Sequence, residues 1–109
     1  MYTEDIHSNN ETVNIALDKL KIALSFARRD KDKILCLIVG YGSKSNKHKI
    51  KSAILIKLEE LLNENKIKGY ILGSELDIFS EIYQKLPNNH LIPDKDKQEK
   101  NPGKIYIIL

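Results

Sequence analysis

Two short groups of residues in this sequence have side chains that could perform chemistry, and the first is near the amino terminus. Asp5 and His7 are separated by one residue, so in an extended chain both side chains lie on the face opposite Ile6. A carboxylate there can orient the imidazole, whose ordinary pKa of about 6.5 lets it move protons at neutral pH. The pair could act as acid or base in phosphodiester cleavage, or ligate a metal ion weakly. An exposed arm with two ordinary polar residues accounts for the same spacing.

The second group is a glycine-containing turn that is followed by lysines. Gly40, Tyr41 and Gly42 follow the apolar hexamer 34–39 and precede a helix. Open α/β sheets place their ligands at such strand ends, where backbone N–H groups at a helix start can meet an anion. Four lysines follow this turn and flank His48 in the sequence: Lys44, Lys47, Lys49 and Lys51. This stretch therefore has a positive local field.

Several interpretations of this turn remain open. Gly-x-Gly lacks the third glycine of the dinucleotide fingerprint and the Gly-Lys-Ser/Thr ending of a P-loop. A plain strand-to-helix turn and a loop that contacts a nucleic-acid backbone are the main alternatives, ahead of a site for a small anion or nucleotide. Tyr41 would stack on a base if its ring is exposed, or cap the sheet if it is packed. His48 would either touch phosphate or lie at a solvated helix start.

Hydrophobic periodicity predicts the elements that position these residues. A brief strand or extended arm precedes the first helix, which is capped within 8–10 and ends at Arg28 and Arg29. The hexamer 34–39 is apolar on both faces, as a central strand covered by helices requires. A second helix, a short strand at 69–73, a third helix over 76–86, a polar loop at about 88–103 and a closing strand follow. This order predicts one α/β domain over 1–109, a small two-layer α/β sandwich with a mixed four-stranded sheet.

Composition narrows the class of protein further. The 109 residues suit a single domain, and 41% are hydrophobic, which is enough for a core. No apolar stretch approaches the length of a membrane span, and no secretory signal is expected. The single cysteine, Cys36, cannot form an internal disulfide and is expected to be buried in its strand, so we expect a cytoplasmic protein. The net charge of +3 permits a nucleic-acid partner without indicating one.

Taken together, the motifs resemble those of the Smr (small MutS-related) domain family. The family's Leu-Asp-x-His-Gly motif corresponds to Glu-Asp-Ile-His-Ser at 4–8, and its Thr-Gly-x-Gly loop corresponds to Val-Gly-Tyr-Gly at 39–42. Its terminal Gly-x-x-x-Val-x-Leu strand resembles 103–109. The sequence departs from the family at Glu4, Ser8 and Val39, and Lys44-Ser45 stands where family loops often carry histidine-serine.

The resemblance implies a fold like the carboxyl-terminal domain of a translation initiation factor. It also implies binding of DNA or RNA, with nicking or endonucleolytic cleavage in some members. Asp5 and His7 would then be the catalytic candidates, and a divalent ion, Mg or Mn, would be the candidate cofactor. The nucleic-acid contacts would come from the loop and the start of the next helix: Gly40, Tyr41, Gly42, Lys44, Lys47, His48 and Lys49. The alternative is a non-catalytic protein-interaction module on the same fold, and the oligomeric state is left open.

Overall fold

A four-stranded mixed sheet forms the centre of the protein. The computed structural model describes residues 1–6, 12–40 and 45–109, and for residues 45–47 it describes the backbone alone. The strands are β1 (Tyr2–Asp5), β2 (Ile34–Ile38), β3 (Gly69–Leu72) and β4 (Lys104–Ile108), in the order β1-β2-β4-β3. β1 runs parallel to β2, whereas β4 is antiparallel to both β2 and β3. The expected α/β class and mixed four-stranded sheet are confirmed.

Two long helices cover one face of the sheet. α1 (Val13–Arg29) and α2 (Ser45–Asn63) pack their apolar sides against alternate strand residues. The largest fully buried side chains of this core are Ile6, Leu20, Leu35, Leu37, Ile54, Leu58, Ile105 and Ile107. α1 ends at Arg29 as expected, but its N-cap is Thr12, whose Oγ1 accepts a hydrogen bond from the Ile15 amide at 3.2 Å. The caps expected at 8–10 fall outside the described residues.

The opposite face of the sheet is covered by a layer of short elements. These are a 3-10 turn at Gly73–Glu75, α3 (Glu81–Lys85), a 3-10 turn at Asn89–Leu91 and α4 (Asp94–Glu99). They bury a second core that includes Leu76, Tyr83 and Ile92 against the sheet. The protein therefore has covering elements on both faces of the sheet, where a two-layer sandwich was expected.

Two predictions for this second layer need correction. The helix expected over 76–86 is reduced to α3, because the Ser80 side chain caps it by accepting the Tyr83 amide at 3.1 Å. Phe79 therefore precedes the helix and is 82% exposed. The polar loop expected at about 88–103 contains α4 and a 3-10 turn. The sequence shows no apolar stripe for α4, because this helix is attached to the sheet by a polar contact.

That polar contact joins α4 to the middle of the sheet. The buried Tyr106 hydroxyl donates a hydrogen bond to the Asp96 carboxylate on α4. Cys36 lies directly opposite Tyr106 in the β2–β4 register and is buried, as expected. Burial raises the pKa of the Cys36 thiol to about 11, with the Tyr106 hydroxyl partly opposing the shift. Cys36 is therefore a protonated core residue at neutral pH.

Candidate functional site

The two sequence motifs leave the sheet at the same edge. Because β1 and β2 are parallel neighbours, their carboxyl ends lie side by side, together with the end of β3 and the start of β4. We call this the upper edge of the sheet. Asp5 pairs with Ile38, and the next amide, that of Ile6, donates to the Ile38 carbonyl at 3.0 Å. Gly40 follows two residues beyond Ile38, so the chain segments that carry both motifs start from adjacent positions.

Gly40 has a structural role in this edge. It is buried and has a φ of 76°, a left-handed conformation that glycine adopts without the strain of a Cβ. Its amide and that of Val39 both donate to the Gly103 carbonyl, at 3.2 and 2.7 Å. The Gly40 N–H is therefore already used by the fold, and an anion at this edge would have to be held by other groups.

The turn before β4 completes the upper edge, and sequence reasoning missed it. The Gly103 amide donates to the Asn101 side-chain oxygen at 2.8 Å, and a Cβ on Gly103 would lie 3.0 Å from the Gly40 carbonyl carbon. Gly73, at the end of β3, is closer still, because its Cβ would lie 2.1 Å from the Asn101 carbonyl oxygen. The Asn-Pro-Gly sequence at 101–103 is a turn signal that could have identified this contact.

Lysines at the upper edge have different surroundings. Lys51 on α2 donates from Nζ to the Pro102 carbonyl at 3.0 Å and so ties α2 to the turn before β4. The Lys104 ammonium lies 3.3 Å from Glu99, and hydrogen bonds from Asn101 and Lys104 hold the pKa of Glu99 below its usual value. His48 and Lys49, by contrast, are exposed on the first turns of α2. Lys49 is therefore an exposed lysine that α2 contributes to the described part of this edge.

The sheet separates Asp5 from α2. Thr3 is paired with Cys36, and strand side chains alternate between faces, so Asp5 lies on the same face as Cys36. That face carries the layer of short elements, whereas α2 covers the other face. Asp5 is exposed there. The structure thus brings Asp5 and the α2 start to one edge but to opposite sides of it, and a ligand touching both would have to cross the edge.

The remaining predicted site residues are outside what the structure describes. These are His7, Tyr41, Gly42 and Lys44, and for Lys47 only its backbone position in α2 is described. Among the described residues, no three histidine, cysteine, aspartate or glutamate side chains come together as metal ligands would. Within the same ranges, none of the helices combines the length and hydropathy needed to cross a bilayer.

Comparison of this chain with protein-family models, with curated proteins and with solved structures found no match.

Proposed function

We propose that this chain is an Smr-like domain that binds RNA or DNA at the upper edge of its sheet. The observation that carries the proposal is the parallel pairing of β1 with β2, because it places Asp5 beside the segment that begins at Gly40. His48 and Lys49 are exposed where α2 starts from the same edge. Exposed basic side chains suit a phosphate backbone, which dominates nucleic-acid affinity.

In this proposal Gly40, Tyr41 and Gly42 form the binding loop. Four residues contact phosphate: Lys44, Lys47, His48 and Lys49. Three lysine contacts give a slope of log Kobs against log salt of roughly −2 to −3, since each phosphate contributes about 0.7–0.9. Since Asp5 lies across the edge from α2, the nucleic acid is a single strand or a loop that can bend over the edge.

The salt slope is the test of binding. Affinity for labelled RNA and DNA oligonucleotides is measured by fluorescence anisotropy over a salt series, for wild type and for Lys44→Ala/Lys47→Ala/Lys49→Ala. A matched control is Lys33→Ala/Lys66→Ala/Lys68→Ala, which removes the same charge from exposed positions at the opposite edge of the sheet. We expect the first variant alone to flatten the slope. Equal slopes in all three proteins, or equal flattening in both variants, would refute the site.

Cleavage is the second part of the proposal. His7, oriented by Asp5, would activate a water or a ribose hydroxyl, and the lysines would stabilise the charge that develops on the phosphate. Supercoiled plasmid and a labelled structured RNA are incubated with magnesium or manganese, using wild type and Asp5→Ala/His7→Ala in parallel. Product from wild type alone supports the pair as catalytic residues. Equal product from both proteins would exclude it, and no product from either would leave a binding domain.

A protein-interaction module is the second candidate function, and it has its own supporting observation. Three large apolar side chains are exposed close together in sequence: Ile78, Phe79 and Ile82. They lie in the layer of short elements that covers one face of the sheet. Buried, unpaired Cys36 is compatible with the cytoplasmic location that both candidate functions assume.

A further inference from the structure

An apolar protrusion and an apolar groove lie on opposite faces of this protein. The protrusion consists of Ile78, Phe79 and Ile82, which are 55%, 82% and 53% exposed. The groove runs between α1 and α2 on the outer side of the helix layer and has a volume of about 790 Å³. Since the two features are on opposite sides of the sheet, one molecule cannot bring its own protrusion to its own groove.

The protrusion is held rigidly. The Phe79 amide donates to Asp77 Oδ1 at 2.9 Å, and the Ser80 amide donates to the Asp77 carbonyl, also at 2.9 Å. The Gln84 side chain donates to the Ile78 carbonyl at 3.1 Å. These bonds hold the backbone of the turn that presents the Phe79 ring, so on binding a partner the ordering cost falls mainly on the side chain itself. An exposed aromatic anchor of this kind is typical of an interaction surface.

The groove has the dimensions and lining of a site that accepts such an anchor. Its volume is within the range of about 300–1,000 Å³ that binding pockets occupy. Its apolar lining comes from both helices: Leu17, Leu20, Leu24, Ala53, Ile56 and Leu61. Ile56 is 63% exposed, which leaves apolar surface in contact with water in the isolated molecule.

The charges around the two features are complementary. Four cations line the groove, together with two acids, Asp18 and Glu60; the cations are Lys21, Arg28, Lys57 and Lys66. The segment 73–85, which carries the protrusion, has three acids and one lysine: Glu75, Asp77, Glu81 and Lys85. The groove lining has a net charge of +2, with Lys57 paired to Glu60 at 3.4 Å, and the segment 73–85 has −2, or −1 when its neighbours Asp94, Lys97 and Lys100 are included. This difference in sign favours the pairing over groove against groove.

We propose that this chain associates head to tail, with the Phe79 protrusion of one copy seated in the α1–α2 groove of the next. Such a contact is heterologous, so each added copy leaves one groove and one protrusion open, and assembly continues as a chain or closes as a ring. The contact is small, so the association is weak, with a Kd of about 10 µM to 1 mM. It does not use the upper edge and requires no nucleic acid.

The test uses one variant of each feature. Phe79→Lys places a cation on the protrusion against the positive groove, and Ile56→Glu places an acid in the groove against the negative protrusion. Both positions are exposed, so both variants are expected to fold. Ile15→Glu is the matched control, because Ile15 is exposed on α1 but does not line the groove. Masses are measured by sedimentation equilibrium up to about 1 mM protein, which covers the expected Kd.

We expect wild type and Ile15→Glu to form oligomers larger than a dimer as concentration rises, and each of the other variants to stay monomeric. An equimolar mixture of Phe79→Lys and Ile56→Glu retains one intact protrusion and one intact groove, and it should restore the association that each variant loses alone. Raised salt should weaken the wild-type assembly. A monomeric wild type at about 1 mM overturns the proposal, as does a mixture that fails to dimerise while wild type assembles.

Discussion

The hydrogen bond between Tyr106 and Asp96 should hold α4 on the sheet, and Tyr106→Phe tests this. The substitution keeps the buried ring and removes the hydroxyl that donates to the Asp96 carboxylate. Hydrogen bonds to charged groups contribute about 1.5–3 kcal/mol. Because Asp96 is half-buried and water can replace the lost donor, we expect the lower end of that range, about 1.5 kcal/mol. For a chain of 109 residues this lowers Tm by about 6 °C.

Limited trypsin digestion locates the effect on α4. The helix carries Lys95 and Lys97, and its detachment frees the backbone at both residues for cleavage. A loss of about 1.5 kcal/mol raises the population of the open form roughly tenfold, and the initial cleavage rate rises with it.

The control is Tyr70→Phe, which also removes a tyrosine hydroxyl from a carboxylate. Tyr70 donates to Glu59 at 2.6 Å, but Glu59 is exposed and Tyr70 half-buried, so we expect a cost below about 1 kcal/mol. A Tyr106→Phe protein with the Tm of wild type and an unchanged trypsin rate would show that α4 is held by its other contacts, and the reasoning would be wrong.

Two further predictions concern the buried thiol and the tight glycine contact. Because the folded-state pKa of Cys36 is raised to about 11 from 9.0, the thiol's contribution to stability is complete below pH 9 and is lost as pH rises towards 11. Urea unfolding from pH 8 to 11 should show an alkaline loss of about 2–3 kcal/mol that Cys36→Ala lacks, and parallel curves would contradict it. Gly73→Ala should cost about 1–3 kcal/mol, because its Cβ would meet the Asn101 carbonyl oxygen, part of the backbone. Gly69→Ala is its control in thermal unfolding, since the Cβ there meets the movable end of the Leu86 side chain at 2.9 Å. Equal Tm values for the two glycine variants would show that the 101–103 turn moves freely.

Local sequence determined the helices and strands whose apolar pattern is long enough to be read. The stripe of α1 and the apolar hexamer at 34–39 gave the first helix and the central strand, and the burial of Cys36 followed from its place in that strand. These features depend on periodicity along one segment, which a single sequence contains in full.

The layer at 73–102 was misjudged because its elements are too short for a period to appear. α3 has five residues and α4 has six, and α4 has no buried residue of its own. Its position depends on Asp96 reaching Tyr106, a partner ten residues away on a different element. The exposure of Phe79 likewise depends on the cap at Ser80, which moves the start of α3 past it.

Local sequence identified residues of the candidate site, and the tertiary structure decided where they lie relative to one another. Residue types and spacing were sufficient to single out Asp5 in an extended segment and Gly40 after the apolar hexamer. Only the sheet order put those strands side by side, and only the pleat placed Asp5 and α2 on opposite faces. The insertion of β4 between β2 and β3 brought Gly103 against Gly40, so that the Gly40 amide is bonded within the fold. Strand order and register are fixed by contacts between residues far apart in the chain, and the pattern of any one segment does not contain them.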